Sequence, residues 1–157
     1  MQKTILISLT ALVVVTFTAN AQFKNWRDRA EYDLYSEIIK PDATPAERLQ
    51  NLEKWKASYP QSDYADMRLK LYLLTCQQMN NHRAAFDTAK EILQSQPNDL
   101  GSLKEIVDHG LQLLPEQANA SLSEESKSDL NTIQKTSRYI LGNLDLIYAA
   151  NKKPGPM

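Results

Sequence analysis

Cysteine occurs once, at position 76, so no disulfide can close within the chain and any fold must be held by packing. The four glycines, at 101, 110, 142 and 155, all stand singly, and none builds the glycine-rich loop that cradles a phosphate. Only two histidines are present, His82 and His109, and neither belongs to an H-E-x-x-H or cysteine-rich spacing, so no metal site or cofactor is expected. Valine nearly vanishes after residue 15, where Val107 is the only one, which argues against a sheet. The formal net charge is −1 and no Lys/Arg stripe with interleaved aromatics occurs, so the electrostatic footprint of a nucleic-acid binder is missing.

The N-terminus has the layout of a secretory signal. Lys3 precedes an apolar run from Ile5 to Val15, extended by Phe17, and Ala19-Asn20-Ala21 supplies the small residues of a cleavage site. The run is too short for a membrane span of about 20 residues. We therefore expect a signal peptide over 1–21, cut between Ala21 and Gln22, a periplasmic or secreted product, and no membrane insertion after cleavage. No cysteine stands directly after the run, which argues against a lipid-modified N-terminus.

The remainder is rich in Leu, Ala, Glu, Lys, Gln and Arg, which lose little rotamer freedom in a helix. Prolines at 41, 45, 60, 97 and 115 divide it into an all-α fold of six helices. The first is expected from Trp26 to Ile39, with Trp26, Ala30, Leu34, Tyr35 and Ile38 on one face. The clearest local signal follows: Thr44 as N-cap, Pro45 at the first helical position and Glu47 completing a capping box. A third helix should run from Ser62 or Asp63 to Met79, a fourth from Arg83 to Ser95, and a fifth should end at Pro115. Gly110 inside the fifth costs about 1 kcal/mol against alanine, which points to close packing there. A last, long helix should open at Ser121 with Glu124 and continue to Asn151.

The segments Trp55-Lys56-Ala57-Ser58-Tyr59-Pro60 and Ile92-Leu93-Gln94-Ser95-Gln96-Pro97 superpose at a period of 37, each closing a helical hairpin. On these residues the chain resembles the tetratricopeptide family, most closely over Asp66 to Asp99. Ala85 takes the small position of a second helix, Ile92 and Leu93 the apolar positions before the closing Pro97, and Leu69, Tyr72 and Leu73 the packing positions of a first helix. Leu73, Cys76 and His82 depart from the pattern, and so does Arg48, which occupies the small-residue position of the preceding unit.

The resemblance implies antiparallel hairpins, about three pairs, stacked as a right-handed superhelix over 22–151, with 152–157 as a tail. It also implies an exported bacterial scaffold that holds a peptide or partner helix in a groove lined by the first helix of each pair. Groove positions are then Asp33 and Glu37, Lys70, Leu74, Gln77 and Gln78, and Lys104 and Asp108. The alternatives are a homo-oligomer formed through the last helix, a structural envelope protein, or a small helical enzyme. The enzyme is disfavoured because no convergent set of titratable groups is visible. Cys76, Trp26, Trp55, Tyr59 and Tyr64 read as packing residues, and Glu124 and Glu125 as complements of a helix dipole. His82 is expected in a turn and His109 on the polar side of its helix.

Overall fold

The computed structural model describes residues 24–115 and 121–152, and these form seven α-helices and no strand. They are α1 Arg29–Ile38, α2 Pro45–Ser58, α3 Ala65–Gln78, α4 His82–Ser95, α5 Leu100–Gln112, α6 Glu124–Gly142 and α7 Leu144–Asn151. The expected signal peptide and cleavage site, and the expected tail beyond Lys152, lie outside the described residues. None of the described helices is long and apolar enough to cross a membrane.

Local chemistry accounts for most helix ends. Thr44 accepts from the Glu47 N–H at 3.3 Å while Glu47 accepts from the Thr44 N–H at 2.8 Å, so the expected capping box is present. Losing such a cap costs about 1 kcal/mol. Asp28, Asn81, Asp99 and Ser123 cap α1, α4, α5 and α6 through their side chains. Asp28 as cap corrects the expected start of α1: Trp26 precedes the helix and stacks on Tyr64, with ring centroids 3.9 Å apart.

Two further expectations are corrected at the C-terminal end. Ser123, not Ser121, caps α6, accepting from the Ser126 N–H at 3.1 Å. The single long last helix is two helices, broken at Asn143. There the side-chain amide donates to the Tyr139 carbonyl at 2.9 Å, drawing the chain out of the helical ladder directly after Gly142. Glycine in a helix is already about 1 kcal/mol less favourable than alanine.

The helices pack in order along the chain, α1 on α2, α2 on α3 and so on to α6, while α7 touches α5 and α6. One core joins Ile38, Leu52 and Trp55 with Trp26, Leu34, Tyr35, Tyr59 and Tyr64 around them. The second draws Leu73, Cys76, Ala85, Phe86, Ala89, Ile92, Ile106 and Ile133 from α3, α4, α5 and α6. Tyr72 borders both. A Cβ on Gly110 would come within 2.7 Å of Ile133 Cγ1 and 2.8 Å of Phe86 Cε2, so the close packing expected there is present.

The 37-residue period survives folding. Helices α2 and α4 are both 14 residues long and displaced by that interval, Pro45 to His82 and Ser58 to Ser95. Their C-caps share a backbone conformation, Tyr59 at φ −132°, ψ 62° and Gln96 at φ −128°, ψ 70°. Their buried positions also coincide, Leu52 with Ala89 and Trp55 with Ile92.

Candidate functional site

The eight groove residues lie on α1, α3 and α5, and all but half-buried Gln77 are exposed. Most of their polar groups are already engaged. Arg29 donates to Asp33 at 2.8 Å, Lys40 to Glu37 at 2.6 Å and Lys70 to Asp99 at 3.0 Å. Arg48 of α2 donates to Gln78 at 3.2 Å. Lys104 pairs with Asp108 one turn along α5, and this ammonium–carboxylate hydrogen bond raises the Lys104 pKa. Leu74 carries no such partner and is 48% exposed.

Three of the eight, Gln77, Lys104 and Asp108, come together around one depression of about 400 Å³ where α3, the start of α4 and α5 meet. Glu37 borders a different depression beside Ala43 and Glu47, and Lys70 a third beside Pro97 and Asn151. Five of the eight expected groove positions are therefore distributed over three separate concavities, and the one that collects three of them also contains His82, Glu105, His109 and Gln112.

Of those histidines, His82 is expected in a turn and His109 on the polar side of its helix. The structure corrects both. His82 is the first residue of α4, and His109 is turned inward, its side chain only 15% exposed. Their Nδ1 atoms lie 2.7 Å apart, and His109 Nε2 lies 2.8 Å from the carboxylate of Glu105, one helical turn earlier. The ring centroids are 5.0 Å apart, little more than the nitrogen gap plus two ring radii, so the two Nδ1 atoms face each other nearly head-on. One hydrogen fits between them. A metal ion does not, since two bonds of about 2.1 Å each would need far more room. No group of three or more His, Cys, Asp or Glu able to hold a metal occurs among the described residues.

Neighbouring contacts hold this triad in place. Asn81 caps α4, accepting from the Ala84 N–H at 3.1 Å, and Asn80 before it adopts a positive φ of 51°, which asparagine tolerates in a tight turn. Arg83, next to His82, forks onto buried Asp129 of α6 at 2.6 and 3.2 Å. That charge-assisted pair raises the Arg83 pKa. Among the described residues, no serine, threonine, cysteine or tyrosine lines the depression. The thiol of Cys76 is buried in the core and pushed up to about 11 by desolvation, unsuited to nucleophilic work.

One sequence signal marks part of this arrangement: Glu105 and His109 are spaced i, i+4, which puts them on one helix face. Nothing local marks His82, which sits 27 positions from His109 and meets it only because α4 and α5 pack together. Compared with known proteins, the chain matches no family model, no curated protein and no solved structure at a significant level.

Proposed function

We propose that this chain is an exported helical-repeat scaffold of the tetratricopeptide kind, and that it binds a protein or peptide partner across the α3/α5 face. The observation that carries the reading is the repetition of one helix at 37 residues, α2 as α4, in helix length, C-cap conformation and buried positions. Stacking of helical hairpins closed by such a helix buries their apolar faces and leaves the first-helix surface free. On that surface Leu74 stands exposed beside Gln77 and Gln78. An apolar anchor next to amides that can meet a peptide backbone suits an extended or helical protein segment.

A photo-crosslinking side chain introduced in place of Leu74 or Lys104, in producing cells, tests the proposal. The expected result is a discrete crosslinked species at both positions and none at Lys56 on α2. Equal labelling at all three positions, or none at any, would overturn it. N-terminal sequencing of the recovered protein should begin at Gln22.

Self-association is a second reading, favoured by the end of the array. Leu141, Leu144, Leu146 and Tyr148 are 58–75% exposed, and only Ile147 of α7 is buried. A concentration of exposed apolar side chains at the α6–α7 junction marks an interaction site more often than an ordinary solvated face does.

A further inference from the structure

We infer that His82, His109 and Glu105 form a proton-counting latch that holds the α3–α4 turn against α5 and releases it when both rings are charged. Its regulatory meaning rests on the binding reading above, since the latch forms one wall of the depression shared by Gln77, Lys104 and Asp108. The device itself follows from hydrogen stoichiometry. Glu105 accepts from His109 Nε2 at 2.8 Å, which leaves His109 Nδ1 with a lone pair. The His82 Nδ1–H donates to that lone pair across 2.7 Å. A first added proton goes to His82 Nε2, and three hydrogens on the four ring nitrogens leave the contact intact. A fourth must go on His109 Nδ1, where two N–H groups would then point at each other on two cationic rings.

The surroundings offer little to offset that second charge. From α5, Glu105 is engaged by His109, and Asp108 is held by Lys104. From α3 the facing group is the neutral amide of Gln77. On α4 the adjacent Arg83 adds positive charge, and its carboxylate partners Asp129 and Glu125 on α6 are directed at it. With no free carboxylate lining the His82 side among the described residues, separation of the rings relieves the repulsion. The Asn80-Asn81 turn, with Asn80 in a left-handed conformation, joins His82 to α3 and is the segment through which that separation would be taken up.

Nuclear magnetic resonance of the ring nitrogens, followed on the intact protein from about pH 8 to about pH 5, tests this across the histidine range. The expected result is two coupled titration steps separated by at least about one pH unit. Amide exchange in the Met79–Asn81 turn should rise about tenfold through the second step, as expected of a local opening. In His82→Gln, which removes the second charge, His109 should titrate in a single step and the turn should no longer respond to acid. Two rings that titrate independently, and whose curves are unchanged by His82→Gln or Glu105→Gln, would overturn the latch. Circular dichroism on each variant confirms that it is folded. Because these readouts need no partner, failure of the crosslinking experiment leaves them intact, and their failure leaves the binding surface standing.

Discussion

Glu31 shows how one polar side chain can organise an apolar cluster. It is fully buried, yet its carboxylate accepts from the Trp55 indole N–H at 2.8 Å and the Arg27 backbone N–H at 2.7 Å. Burial alone would raise its pKa; hydrogen bonds from Arg27, Ser62 and Trp55 outweigh that and lower it. Asp28 is lowered as well, chiefly by the Glu31 N–H and the Tyr59 hydroxyl. A carboxylate with a depressed folded-state pKa binds its proton more readily in the unfolded chain, so stability falls as pH drops below the ordinary carboxylate range. Glu31→Gln should therefore lower the thermal midpoint at neutral pH, through loss of charge-assisted hydrogen bonds worth about 1.5–3 kcal/mol each. It should also flatten the acid limb of the stability curve. Thermal melts at a series of pH values check both, and an unchanged acid limb would show that other groups govern it.

At the scale of the element, Gly110 decides how closely α5 approaches α4 and α6. Alanine would improve helix propensity by about 1 kcal/mol. The added methyl, however, would press against Ile133 and Phe86 at separations real side chains do not tolerate. Overpacking of this kind costs about 1–3 kcal/mol. Gly110→Ala is therefore expected to be net destabilising, whereas Gly142→Ala, with nothing within 4 Å of the new methyl, should be neutral or stabilising. Urea unfolding of the two variants gives the comparison. The opposite order would mean that α5 can shift away from α6 at little cost.

For the molecule as a whole, the open question is what covers the last helix. Helix α7 is held by buried Ile147 and by Asn151, whose side chain donates to the Asn98 carbonyl at 2.6 Å and accepts from the Leu100 N–H at 3.1 Å. Most of its remaining apolar surface faces outward. If that surface joins two copies, light scattering will give twice the monomer mass, and Leu144→Glu will restore the monomer without loss of helicity. A monomer before substitution would leave the α3/α5 face as the interaction surface.

Much of this architecture is legible before folding, because helix formation, capping and termination are local. The Thr44–Glu47 box and the stripes feeding both cores are set by neighbours three or four positions apart, the boundaries by single prolines, and the 37-residue period shows as a recurrence along the sequence. Even the close approach at Gly110 is signalled by a glycine placed where a helix would otherwise avoid one. The errors fell where a weak preference was balanced by a second group nearby: Ser121 lost the α6 cap to Ser123, and Gly142-Asn143 broke what periodicity alone would continue. The histidine latch and the Arg83–Asp129 fork belong to the tertiary structure alone. Their members are 27 and 46 positions apart, and only the packing of α4 against its neighbours brings them within hydrogen-bonding distance.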